Sequence, residues 1–178
     1  MRLFIALNFK NEVKAQINDI INIVKANSIQ GKFVNDEHIH LTVEFLGEIQ
    51  NNRLSMIKEI MDGLEIGAFT LSLTQIGCFK RREGNILWLG VEENNILLNL
   101  NNILHQSLIE KGFELEDREY KPHITLGRKV ILKDSFRANE VDELVRKIEI
   151  NIDKVDLMKS EFVNGKLIYS VVYSRQLA

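Results

Sequence analysis

Proline is almost missing from this chain: Pro122 is the only one in 178 residues. A proline-rich linker or polyproline recognition module is therefore excluded. Cysteine is equally scarce. Cys78 stands alone, so there is no disulfide framework, no Cys-x-x-Cys pair and no thiolate cluster for structural zinc. No apolar run approaches the ~20 residues that a helical membrane span needs. The opening MRLFIALNFK carries neither a signal-peptide cleavage pattern nor an Arg/Ser-rich transit character. Cytoplasmic residence is the expectation, as a monomer with no membrane partner. An excess of one charge sign is also lacking. A net charge of -2 argues against a protein that coats nucleic acid through a broadly basic surface, while leaving room for a local cationic pocket. Lys80-Arg81-Arg82 and Arg128-Lys129 are the two places where cations concentrate.

What the chain does contain is an internal repeat. His40-Leu41-Thr42-Val43 and His123-Ile124-Thr125-Leu126 have the same form, His-apolar-Thr-apolar, and lie 83 residues apart. Other segments repeat at nearly that offset. Leu3-Phe4-Ile5-Ala6-Leu7 matches Leu87-Trp88-Leu89-Gly90-Val91, and a helical pattern follows each. In the first half the pattern is Val13, Ile17, Ile20, Ile21 and Val24; in the second it is Leu97, Leu100, Leu104 and Leu108, with Gly112 as the stop. GNILWLGV at 84–91 also aligns with GKLIYSVV at 165–172, placing Trp88 and Tyr169 in step. Each half reads strand, helix, motif strand, second helix (about 51–63 and 139–147) and a strand pair.

The predicted fold class is α+β. It has two pseudo-symmetric lobes, each a small, mostly antiparallel sheet covered by helices, facing each other across a cleft with one His-x-Thr motif per lobe. Residues 1–178 form a single domain in this reading. The lobes run over about 1–84 and 85–178, with the strand at 85–91 shared or crossing.

Side chains alternate along a strand, so His40 and Thr42 share one face while Leu41, Val43 and Phe45 are expected on the core face. His123 and Thr125 stand in the same way against Ile124 and Leu126. For this composition, two such motifs among four histidines arise by chance with a probability on the order of 10⁻⁴. Two imidazoles and two hydroxyls on opposed walls suit acid–base chemistry at a small anionic centre. One ring can act as neutral base and the other as imidazolium acid near neutral pH, while the hydroxyls donate to phosphate oxygens. No metal or other cofactor is needed. The planar fork of Arg128 fits phosphate too, but strict alternation places it on the wrong face unless the strand ends or bulges near Gly127.

These residues resemble the two-histidine (2H) phosphoesterase superfamily. MRLFIAL, HIHLTVEFLGEI, IGCFKRREGNILWLGV and KPHITLGR together resemble the RNA 2′,3′-cyclic phosphodiesterases of prokaryotes, also described as 2′-5′ RNA ligases. The resemblance covers almost the whole chain. It implies metal-independent hydrolysis of an RNA or nucleoside 2′,3′-cyclic phosphate to a 2′-phosphomonoester, with 2′-5′ ligation as the related reversible reaction. RNA ends or nucleotides bearing the cyclic phosphate would be the partners. His40 would be the proton donor to the leaving 3′ oxygen and His123 the proton acceptor from water, though these roles could be exchanged. Thr42, Thr125 and Arg128 would bind the phosphate. His38 departs from the family pattern, standing where relatives commonly carry Asn.

Two other readings compete. His38 and His40, with Glu44 beyond them, could hold a transition metal for a hydrolase or oxygenase. A non-catalytic RNA-end binder could instead stack a base on Phe45, Phe79, Trp88 or Tyr120, each otherwise a core residue. Lys80, Arg81 and Arg82 fall in a turn where an RNA backbone could meet them. His105, within a helix, is read as structural or exposed.

Overall fold

The computed structural model describes residues 1–178. Its strands are β1 (Arg2–Asn8), β2 (Ser28–Phe33), β3 (His40–Glu48), β4 (Phe69–Phe79), β5 (Asn85–Val91), β6 (His123–Leu132), β7 (Glu149–Ile152), β8 (Lys154–Val163) and β9 (Lys166–Gln176). The helices are α1 (Asn11–Ala26), α2 (Leu54–Asp62), α3 (Asn95–Glu110) and α4 (Ala138–Arg146). None is long and apolar enough to cross a membrane.

The helices follow from their apolar spacing. Ile17, Ile20, Ile21 and Val24 of α1 are buried, as are Leu97, Leu100, Leu104 and Leu108 of α3. Asn94 caps α3 by accepting from the backbone N–H groups of Ile96 and Leu97, each at 3.0 Å. Gly112, at φ 80°, closes the same helix in the left-handed conformation.

Two antiparallel sheets result, in the orders β3-β1-β8-β9 and β2-β6-β5-β4-β7. The repeat boundary near residue 84 is a boundary between sequence units and not between sheets. β8, from the second half, pairs with β1 and brings β9 beside it, while β2 and β4 of the first half pair with β6 and β5 of the second. The helices exchange as well: α3 packs on β3 and α2, and α1 on β2, β6 and α4. Exchange follows from the pairing. β4 turns directly back into β5 through residues 80–84, leaving the open side of β1 for the later hairpin. One continuous apolar core runs behind both sheets.

β3 and β6 face each other, and each departs from strict alternation at the same place. Ala6 pairs with Thr42 and Ile5 with Glu44, so Val43 is an extra residue in β3. Trp88 pairs with Thr125 and Leu87 with Gly127, so Leu126 is the extra residue in β6. A β-bulge inserts one residue and resets the facing of everything beyond it. Arg128 therefore stands on the same face as His123 and Thr125, by the bulge its participation required.

In β3 the same bulge corrects the expectation for Phe45. It pairs across from Phe4 on the cleft side and is 51% exposed, not core. Glu44 pairs across from the buried Ile5 and so leaves the His40/Thr42 face.

Candidate active site

Both motif histidines occupy the first position of their strand, and both are held by the carbonyl two residues earlier. His40 Nδ1 lies 2.7 Å from the His38 oxygen, and His123 Nδ1 lies 2.7 Å from the Lys121 oxygen. A carbonyl only accepts, so Nδ1 carries the hydrogen in each ring and Nε2 is left for chemistry. Pro122, which cannot donate to a sheet, immediately precedes the strand residue His123, as its position at a strand start requires. His40 Nε2 lies 3.0 Å from Thr42 Oγ1, so the motif's threonine already meets the reactive nitrogen.

Aromatic rings wall both imidazoles. Phe4 and Tyr169 lie 5.2 and 5.5 Å from His40, centroid to centroid, the latter edge-on. Phe79 and Trp88 lie 5.1 and 6.3 Å from His123. The indole rests on Gly77, where a Cβ would come within 2.2 Å of the ring.

Burial against these rings lowers the His40 pKa from its ordinary 6.5 to about 4; the charges of His38, His123 and Lys14 act in the same direction, and the His38 hydrogen bond opposes them. His123 is also pushed down, first by burial and then by the cations Arg128 and Arg118, against the opposing Lys121 hydrogen bond. Each ring is thus neutral at pH 7 in the free protein. A phosphodiester anion seated between them would raise both.

All five residues singled out from the sequence, His40, Thr42, His123, Thr125 and Arg128, stand on the cleft-side faces of β3 and β6. The positive charge of Arg128 acts on both His123 and Tyr169, which belong to opposite sheets. Beside them opens a cavity of about 590 Å³, lined by Thr42, Phe45, Phe79, Arg81, Tyr120 and His123 among others. His40, Thr125 and Arg128 are not in its lining and lie on the same strand faces next to it. That volume falls within the range of small-molecule sites and exceeds what a phosphate alone would fill.

The metal set His38/His40/Glu44 is not assembled. His38 ends a short 3-10 turn (Asp36–His38) before the strand begins, and the bulge sends Glu44 to His105, with Nδ1 to Oε2 at 2.7 Å. No group of three or more His, Cys, Asp or Glu side chains comes together anywhere in the structure.

Several residues were not foreseen. Phe4 and Tyr169 gave no sign of flanking His40, although Tyr169 aligned with Trp88. His105, read as structural or exposed, lines the cavity and binds Glu44, a partner that was not foreseen. Its signal was the polar pair Asn101/His105, four residues apart beside the leucine stripe.

A fold of two exchanged sheets, with one bulged His-x-Thr strand on each side of a cleft, defines a two-lobed phosphoesterase architecture. The profile described as "LigT like Phosphoesterase" matches the chain twice, over residues 7–88 and 89–169. The chain belongs to this family. An RNA 2′,3′-cyclic phosphodiesterase of Thermotoga maritima is 32% identical over 99% of this chain and 95% of its own length. Another, from Methanocaldococcus jannaschii, is 30% identical over 97% and 98%. The crystal structure of E. coli LigT complexed with 3′-AMP shares the fold, with a TM-score of 0.80 at 24% identity over 99% of this chain and 97% of that one.

Proposed function

We propose that this chain hydrolyses the 2′,3′-cyclic phosphate of an RNA end or nucleoside to a 2′-phosphomonoester, its 178 residues acting as one catalytic domain. The observation that carries the reading is the pair of Nε2 atoms presented from opposed walls by the same device, each ring fixed through Nδ1 to the carbonyl two residues back. Curated relatives named RNA 2′,3′-cyclic phosphodiesterase, matched over nearly their whole length, support the substrate class.

In the proposed cycle the cyclic phosphate lies between the rings, its non-bridging oxygens bound by Thr42, Thr125 and Arg128. Neutral His123 takes a proton from water through Nε2 as the water oxygen attacks phosphorus. The bond from phosphorus to the 3′ oxygen breaks, and His40, protonated once the substrate anion raises its pKa, gives its Nε2 proton to that oxygen. Products are the 2′-phosphate and a free 3′-hydroxyl. Solvent then removes the proton from His123, and His40 takes one up again when the next substrate anion is seated. With a ribose 5′-hydroxyl in place of water, the same transfers would form a 2′-5′ linkage.

Lys80, Arg81 and Arg82, in the turn between β4 and β5, extend the site toward longer RNA. Arg81 lines the cavity and lies 5.9 Å from the Phe79 ring, which itself touches His123.

The test is a product assay on a 2′,3′-cyclic nucleotide with EDTA present, separating the 2′- from the 3′-phosphate. Turnover to the 2′ isomer is expected. Activity abolished by chelation and restored by zinc or manganese would defeat the mechanism, and tight RNA binding without turnover would favour a binding module.

A further inference from the structure

The bulge that turns Phe45 toward the cleft lies in β3, which is the edge strand of its sheet. Its counterpart in β6 is not at an edge, because β2 runs alongside: Val34 N–H donates to the carbonyl of the extra residue Leu126 at 2.9 Å. No strand does this for β3. Side chains do it instead, and all come from the second half of the chain. Asn101 Nδ2 donates to the carbonyl of the extra residue Val43 at 2.8 Å. Tyr120 Oη donates to the carbonyl of Thr42 at 2.9 Å. His105 holds the Glu44 carboxylate at 2.7 Å. Three consecutive residues of the first motif are thus gripped by α3 and by the segment entering the second motif.

We infer that Tyr120, seconded by Asn101 and His105, is a positioning residue that locks the two catalytic walls in register. It lies three residues before His123 and its hydroxyl ends on Thr42, so one side chain links the strand entry of one motif to the backbone of the other. The phenol is well enclosed and packs against the core, so its reach is fixed. Asn101 and His105 lie one helical turn apart on α3, whose leucines anchor it beneath β3. Without the hydroxyl, the Thr42 carbonyl loses a partner at an open strand edge. The β3 bulge can then shift relative to β6, and a displacement of about 1 Å between reacting groups can cost on the order of 10²-fold in rate. Tyr120 touches neither phosphate nor water in this account, and it acts through the placing of the Thr42 hydroxyl.

This rests on the roles proposed for His40, Thr42 and His123. The test is Tyr120→Phe, which keeps the buried ring, assayed on a 2′,3′-cyclic mononucleotide. We expect kcat to fall about tenfold, with KM changed less than about twofold, the limbs of the pH profile in place and the melting temperature nearly unchanged. In a Thr42→Ala background the same change is expected to cost little more, because the group being positioned is gone. Asn101→Ala, which leaves the phenol untouched, should lower kcat several-fold in the same pattern. Unchanged kcat in Tyr120→Phe, a loss that merely tracks thermal stability, or full additivity with Thr42→Ala would each overturn the inference. A wild-type protein without turnover would overturn the functional reading itself, whereas an active wild type with an indifferent Tyr120→Phe removes only the positioning role.

Discussion

The two walls of the cleft begin from the same sequence motif and end as different chemical surfaces. Both start at a histidine, bulge after the threonine and turn the fifth residue beyond the histidine outward. In β3 that residue is Phe45; in β6 it is Arg128. The other bulge position differs as well. Glu44 binds His105, whereas Gly127 pairs with Phe33 of the neighbouring β2, and a Cβ there would come within 2.9 Å of the Phe33 ring. His40 is the more enclosed ring, with its threonine already at its Nε2; His123 faces two cations. A duplicated scaffold thus supplies position by symmetry, and the residues beside the motif give the two rings different surroundings, burial dominating at His40 and nearby cations adding to it at His123.

The sharpest way to break this comparison is to remove each histidine in turn. His40→Ala and His123→Ala are each expected to lose roughly 10³-fold or more of the turnover of a 2′,3′-cyclic nucleotide while still folding, as steady-state rates and circular dichroism would register. A normal rate in either variant would mean that the walls do not act as a pair.

Removing the cation from one wall should follow, at roughly 10²-fold in kcat/KM for Arg128→Ala. Because Arg128 helps to depress His123, its loss should let the His123 pKa rise, moving the acid limb of the kcat/KM profile to higher pH. An unmoved limb would separate Arg128 from the base.

Enclosure of His40 predicts a stability difference between the walls. Its ring titrates near 6.5 when unfolded and near 4 when folded. Between those values the unfolded chain holds a proton that the native ring refuses, so acid favours unfolding. The contribution is intact above about pH 6.5 and is lost as pH falls toward 4, at most about 3 kcal/mol for this group. Denaturant melts at pH 7.5 and 4.5 should therefore show less acid destabilisation in His40→Gln than in wild type, with a weaker effect for His123→Gln. Equal acid sensitivity in all three would remove the assigned difference in burial.

Smallest is the effect of reversing the charge of Lys80, Arg81 and Arg82. Turnover of oligonucleotides is expected to drop a few-fold, with a shallower salt dependence, while mononucleotide turnover holds. An equal drop for both would mean that the turn contacts no backbone phosphate.

Much of this was legible in the sequence because repetition marks position. The motif pair, the leucine stripe ending at Gly112 and the outward-facing histidines all correspond to structure. Bulges were not readable in general. Gly127 hinted at one because a residue without a side chain stood where a neighbour could approach, but Val43-Glu44 carries no such mark, and Phe45 was assigned to the core for that reason. β2 escaped notice because Ser28–Phe33 has no apolar alternation and is largely exposed. Exchange of hairpins between sheets was hidden for a deeper cause: a repeat reveals the order of elements and says nothing about their partners.

That exchange bears on how the protein is made. β1 is an interior strand whose Leu3, Ile5 and Leu7 are fully enclosed, yet one of its two hydrogen-bonding edges is filled only by β8, some 150 residues later. At ribosomal speeds of about 5–20 residues per second, that edge waits on the order of ten seconds for its partner. A strand reading Leu-Phe-Ile-Ala-Leu, unpaired on one side for so long, is an invitation to self-association. The wall that carries His40 thus closes only with the β8–β9 hairpin, which brings Tyr169. Until that hairpin has been synthesised, His40 lacks one of the two rings that enclose it.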